Sequence, residues 1–269
     1  MSQTALAKLV DLERYPLLEE AGFSRIVQDA RRQLEEASFA RLPGFLRPGI
    51  ADAMAAEVLE ALPRAHRRER SFSIYDESTL ARHAADHVAH RQFQNRQFVV
   101  ATDVLPPSGL LRTLYGQDAL TRRIAQMLGE PVLHPLADPV MACTATVMYE
   151  GDMHGWHFDL NDFVVSILLK APQAGGTFDF APNIRDDADE NYGAVADVLD
   201  GRSQALRSVK VEAGTLLLFC GRRALHRVPP VIGSTPRIIA LLSYDRAPGV
   251  RYGAATYERV VGRRHALES

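Results

Sequence analysis

Hydrophobic positions in the first half of the chain recur every three to four residues. Between 23 and 39 the apolar set Ile26, Ala30, Leu34 and Ala37 is separated by Arg and Glu, and between 48 and 62 Ile50, Met54, Val58 and Leu62 repeat the spacing. Such a period lays one apolar stripe along a helix and turns it toward a core. A third helix is predicted over 108–128, with Gly129 as its stop, since glycine accepts the left-handed conformation that ends helices. Residues 63–70, Pro-Arg-Ala-His-Arg-Arg-Glu-Arg, form a basic run that reads as a solvated loop, with contact to a phosphate or polyanion as its alternative.

The second half changes period. Residues 141–149 alternate like a half-buried strand, 163–169 form a nearly continuous β-rich run, and Gly175-Gly176 precedes a short strand over 177–180. Further strands are predicted over 208–211, 215–219 and 237–244, punctuated by Glu212-Ala213-Gly214, Pro229-Pro230 and the turn 233–236. Many short strands joined by Gly/Pro turns predict a mainly β chain with flanking helices (α+β), built on a jelly roll with the helices packed outside. Segregation of the two patterns leaves two domains open. The lack of a linker rich in Gly, Ser or Pro favours a single domain over 1–269: a mostly helical part and barrel edge (1–130), a β core (131–249) and a C-terminal extension (250–269).

Composition narrows the function classes. The 269 residues are 46% hydrophobic and 24% charged, with Lys+Arg 31 against Asp+Glu 33. A formal charge of −2 provides no global field for nucleic acid or an anionic membrane. Cys143 and Cys220 both sit in apolar runs, which excludes a disulfide scaffold. The N-terminus lacks a cationic region followed by a long apolar stretch, so a cytoplasmic protein acting on a small molecule is expected, and a homodimer is compatible with that reading.

The chemistry concentrates in His154-Gly-Trp-His157-Phe-Asp159. Residues i and i+2 of a strand point the same way, so His157 and Asp159 present an imidazole nitrogen and a carboxylate oxygen to one point. His226 follows an apolar strand and precedes Val228-Pro229-Pro230. Two histidines and one carboxylate form the facial triad that binds Fe(II) and keeps coordination positions open for a chelating cosubstrate and O2. Arg237 heads the apolar run Ile238–Leu242; an arginine there is costly to bury unless it meets an anion, and its planar fork suits a carboxylate. A dicarboxylate would chelate the metal at one end and pair with Arg237 at the other.

This order of residues resembles the Fe(II)/2-oxoglutarate-dependent dioxygenases. Gly151-Asp152, Trp156 to Asp159, Gly175 to Phe178, Asp189 to Tyr192, Gly214 to Leu216 and Gly221 to Val228 are similar to the subfamily of free-lysine radical halogenases and their amino-acid hydroxylase relatives, over roughly 98–249. The resemblance implies a double-stranded β-helix core, with Fe(II), 2-oxoglutarate and O2 as cofactors. His157, Asp159 and His226 would be metal ligands and catalytic residues, with Arg237 on the cosubstrate. Halogenases of this subfamily carry Gly or Ala where this chain has Asp159, so the resemblance implies hydroxylation of a free amino acid or similar small polar metabolite. Halogenation, desaturation, or metal and ligand binding by a non-catalytic jelly roll remain the alternatives.

Around the triad, His154 stands three residues before His157, off its strand face, as a substrate contact or a rim residue; the resemblance favours contact. Trp156 and Phe158 alternate toward core packing. Arg96, in the interrupted segment with Arg91 and Asn95, would suit an α-carboxylate, and Asp138 would meet an ammonium or begin a turn. Arg222, or its neighbour Arg223, is a further candidate for a substrate carboxylate, while Arg227 is expected to reach solvent or an acid. The subfamily's lysine-binding acidic position is Leu160 here, which puts lysine in doubt. Residues 183–201 are a candidate lid.

Overall fold

The computed structural model describes residues 3–267, so the outermost two residues at each end of the 1–269 unit lie outside the described residues. Eleven strands form one strongly curled sheet. In chain order they are β1 (Phe39–Leu42), β2 (His66–Ser73), β3 (Gln92–Val100), β4 (Cys143–Met148), β5 (Met153–His157), β6 (Val164–Lys170), β7 (Phe178–Ala181), β8 (Arg207–Val209), β9 (Leu216–Phe219), β10 (Leu225–Val228) and β11 (Arg237–Leu242). Their spatial order is β1-β9-β6-β11-β4-β3-β5-β10-β7-β8, with β2 added on β3 and every pairing antiparallel. The first five strands of that order form one wall of a jelly roll and the last four form the other. The cavity between them draws its lining from both walls.

Helices cover the outer faces of both walls. α1 (Gln3–Leu9), α2 (Glu20–Ala37), α3 (Ile50–Ala61), the short α4 (Glu77–Leu80), α5 (Leu110–Tyr115), α6 (Asp118–Leu128), α7 (Tyr192–Leu199) and α8 (Ala254–Val261) appear in that order. One apolar cluster joins Phe23, Met54, Leu114, Ile124 and Tyr257 of these helices to Val147, Ile167, Leu218 and Ile238 of the sheet. A second cluster, Trp156, Phe158, Val195, Val198 and Leu225, packs α7 on the outside of the opposite wall.

The 3.6-residue pattern located α2 and α3 to within a few residues. Over 108–128 a single helix was expected, but Gly116 caps α5 and the chain restarts as α6. That helix ends as expected, at Gly129 with φ +77°. Residues 141–149 do not form a half-buried strand, because every residue of β4 is buried, with helices on one side and the cavity on the other. The basic run 63–70 is not a loop either: His66 to Arg70 belong to β2, which pairs along β3 from His66–Val99 to Ser73–Gln92. Among the described residues, no helix is long and apolar enough to cross a membrane.

Candidate metal centre and cavity

Two imidazoles and one carboxylate converge inside the roll. His157 closes β5, Asp159 follows just past the strand end, and His226 on β10 stands opposite His157 in register. Nε2 of His157 lies 3.7 Å from Oδ1 of Asp159, and Nε2 of His226 lies 3.5 Å from Oδ2. One donor atom from each residue falls within 4.8 Å of the others. The Nδ1 atoms hydrogen-bond to the carbonyls of Gly155 at 2.8 Å and Ala224 at 2.9 Å. A carbonyl only accepts, so each Nδ1 carries the proton and each Nε2 keeps its lone pair for a metal.

Electrostatics support the same protonation states. Burial, followed by the neighbouring His226, pushes the His157 imidazole down to about 3. Burial would raise the carboxyl of Asp159, yet the two histidines outweigh it and hold Asp159 below its ordinary value. A neutral His157 beside an anionic Asp159 is the state that binds a divalent ion. The set fits ferrous iron in the two-histidine, one-carboxylate arrangement.

Close backbone approach at two glycines shapes the centre. The Asp159 N–H donates to the Gly221 carbonyl at 3.1 Å, and a Cβ at Gly221 would overlap the Asp159 carboxylate. At Gly155 a Cβ would come 2.6 Å from Cβ of Phe93 and 2.9 Å from the Gln94 carbonyl.

His154 departs from the expectation for its strand face. His226 pairs with His157, but Val228 pairs with His154, so three steps on β5 oppose two on β10. That bulge inserts one residue and rotates His154 onto the inner face, where its ring stacks on His157 at 3.8 Å. Both rings line the cavity. On the outer face Trp156 and Phe158 pack as expected, with guanidinium groups over their rings: Arg227 at 4.6 Å from Trp156 and Arg185 at 3.6 Å from Phe158. Arg227 does meet an acid, donating from Nε to Asp179 at 3.0 Å.

Arg237 lies in the same cavity of about 360 Å³ as the triad. It is 4% exposed, its Nε donates to the Gly176 carbonyl at 3.0 Å, and no carboxylate among the described residues pairs with it. Burial alone lowers its guanidinium to about 10. A buried cation with no protein counter-ion is a site prepared for an anion.

Three of the proposed substrate contacts face elsewhere. Arg96 points outward from β3, donating to the Gly151 carbonyl at 2.6 Å, because its neighbours Asn95 and Gln97 take the inner face. Asp138 is buried and fully used: the N–H groups of Val140 and Met141 donate to Oδ1 at 2.8 and 2.7 Å, and the Tyr252 N–H and Tyr257 hydroxyl donate to Oδ2 at 2.6 and 3.0 Å. The turn reading of Asp138 is the one its geometry carries. Arg222 donates to Asp162 at 3.2 Å and, like Arg223, pairs with Asp187 on the surface; it lines a separate cavity. Arg91 pairs with Asp200 at 2.6 Å. Leu160 is 78% exposed at the mouth. No residue of 183–201 lines the metal cavity, because Ile184, Val195 and Val198 are buried behind Trp156 and Phe158.

The lining also includes Arg68, Gln97 and Arg259, which sequence reasoning did not assign. The alternation of Arg68 and Arg70 through the basic run was a strand signal that could have found Arg68.

Solved structures share the fold. SnoN, an epimerase from nogalamycin biosynthesis, matches with a TM-score of 0.56 at 16% identity over 82% of this chain and 80% of its own. HygX from Streptomyces hygroscopicus, solved with nickel, 2-oxoglutarate and hygromycin B, matches at 0.53 and 14% over 79% and 84%. A prolyl hydroxylase from Trichoplax adhaerens, in complex with a peptide, matches at 0.53 and 15% over 81% and 88%. Curated proteins furnish no match to the sequence. The roll, its His-Asp-His centre and the family match together define an Fe(II)- and 2-oxoglutarate-dependent oxygenase. Within that class the chain belongs to the Halogenase D family, whose model matches residues 24–259.

Proposed function

We propose that this oxygenase hydroxylates an unactivated C–H bond of a small polar metabolite, a free amino acid or a related compound. The observation that carries the reading is Arg237, a buried guanidinium without a protein anion in the cavity that holds the triad. His157, Asp159 and His226 would hold the iron. When bound, iron would let O2 oxidise 2-oxoglutarate and substrate together, one oxygen atom entering succinate as CO2 is released and the other inserted into the substrate C–H bond.

The chain's own residues do the rest. Arg237 anchors the far carboxylate of the cosubstrate, and the Gly176 carbonyl fixes the direction of its fork. Phe178 and Phe219 flank His226 with ring centroids at 5.7 and 4.7 Å and would shield that imidazole from water. His154 faces the substrate side of the centre. Asp159 would occupy the coordination position that Gly or Ala leaves open in the halogenases this chain resembles, which favours hydroxylation. SnoN solved with Fe3+ and alpha ketoglutarate, and HygX with 2-oxoglutarate, support the cofactor reading.

The test incubates purified protein with Fe(II), 2-oxoglutarate and a panel of free amino acids and related acids, and follows succinate and product mass. Substrate-dependent succinate with a gain of one oxygen atom is the expected result. The family description favours halogenation as a second reading. Chloride-dependent formation of a chlorinated product by the wild-type protein would establish it over hydroxylation. Absence of succinate with every compound would point to a binding protein.

A further inference from the structure

The inner face of β2 and β3 carries polar groups that the fold does not satisfy. Register places Arg70, Asn95 and His154 in one row across β2, β3 and β5, with Arg68 and Gln97 paired in the next row. Side chains opposite one another on antiparallel strands share a face. Asn95 is 0% exposed, yet neither its amide nitrogen nor its oxygen has a hydrogen-bond partner. Nε of Arg68 is likewise buried without a partner. Native interiors seldom leave such groups orphaned unless something else completes them.

The charges around them all have one sign. Arg259 of α8 reaches the cavity from beyond β2. The charged groups that act on Arg68 are Arg70 and Arg259, and Arg259 also acts on Arg70. Among the described residues none of these three arginines has an ion-pair partner; Arg70 lies over the Phe72 ring at 5.3 Å. Asp159 is the one acidic residue lining the cavity among those described, against Arg68, Arg237 and Arg259. Arg237 pairs with Met148 of β4 in register, β4 pairs with β3, and β3 carries β2, so Arg237 and Arg68 stand three strands apart and mark separate places in the cavity.

We infer that Arg68 and Arg259, backed by Arg70, form an anion-binding rim for the substrate, which therefore carries a carboxylate or phosphate group and a net negative charge, with Asn95 and Gln97 taking polar groups beside it. This rests on the oxygenase reading for which C–H bond is presented, and it separates the substrate's anion from the cosubstrate's. A cationic amino acid such as lysine would enter a cavity with three guanidinium groups and no carboxylate apart from Asp159. Arg68 is the specificity-determining residue of this arrangement, since it is the most enclosed of the three.

The experiment loads the full-length protein with Fe(II) and 2-oxoglutarate without oxygen, then titrates inorganic phosphate, acetate and L-lysine by calorimetry. The visible charge-transfer absorption of the iron–2-oxoglutarate complex is followed in parallel. Expected is saturable binding of phosphate or acetate, with the tighter of the two naming the group, and none of L-lysine. Arg68→Gln and Arg259→Gln should each weaken that anion by about tenfold or more, the loss of one charge-assisted contact, while 2-oxoglutarate loading and the exposed control Arg32→Gln stay unchanged. Absence of anion binding to the wild type, or retention of full affinity by both variants, would overturn the rim. Loss of 2-oxoglutarate loading in Arg68→Gln would reassign the cluster to the cosubstrate and overturn it as well. If the wild type binds the anion but never loads 2-oxoglutarate, the rim stands and the oxygenase reading fails.

Discussion

The Gly221 backbone passes so close to Asp159 that a single methyl group at position 221 would occupy the space of the Asp159 carboxylate. Gly221 offers no donor atom to the candidate centre, yet it sets where the Asp159 carboxylate rests. Gly221→Ala is expected to lower iron affinity about 10–100-fold, the usual cost of disturbing the shell behind a ligand. A metal titration with the thermal midpoint measured alongside checks this: affinity should fall while the midpoint of the metal-free protein moves little.

Gly155 makes the equivalent approach on the other side. Its Cβ would collide with Phe93 and the Gln94 carbonyl, so Gly155→Ala should push β5 off β3. Overpacking of this kind costs about 1–3 kcal/mol. Denaturant unfolding would show the loss, and the stacked His154–His157 pair should leave a poorer metal site than stability alone explains.

Arg237→Met should separate stability from function. At neutral pH the buried guanidinium stays charged, although burial has lowered it to about 10, so the folded protein holds a charge it disfavours. Removing it should raise the melting temperature of the ligand-free protein. In the iron-loaded protein the same change should abolish the stabilisation that 2-oxoglutarate confers, read by thermal shift.

Acid should destabilise the metal-free protein well before its carboxylates protonate. His157 is depressed from 6.5 to about 3 in the folded state, so between those values the unfolded chain binds a proton that the folded chain refuses. Stability then falls as pH falls, by at most about 1.4 kcal/mol per pH unit for one imidazole. Asp159, depressed below the ordinary carboxylate value of 3.8, adds a loss of the same sign only at lower pH. Unfolding midpoints at pH 7 and pH 5 should differ more for wild type than for His157→Asn.

Much of the centre was legible because strand alternation is a rigid rule. His157, Asp159 and the outward Trp156 and Phe158 followed from a period of two, and the apolar run after Arg237 marked an inward strand. His154 was misplaced because a bulge breaks that period and depends on the partner strand, which a single sequence does not display. Asp138 and Arg96 were plausible contacts by type, but backbone N–H groups claim the first and the alternation of β3 turns the second outward. Arg68 stayed hidden because residues 63–70 lack the apolar residues that announce a strand: the inner face of β2 is polar, since it borders the cavity.

The two arginines seated over Trp156 and Phe158 have a consequence for how the protein meets its metal. Those rings are gripped from outside by Arg227, itself tied to Asp179, and by Arg185, which pairs with Glu190 at 2.8 Å. The ligand strand is thus braced from behind by contacts that owe nothing to an ion. Chelation should therefore strip the iron without collapsing the site, and the emptied protein should take up fresh metal at once, like a socket whose frame is built into the wall.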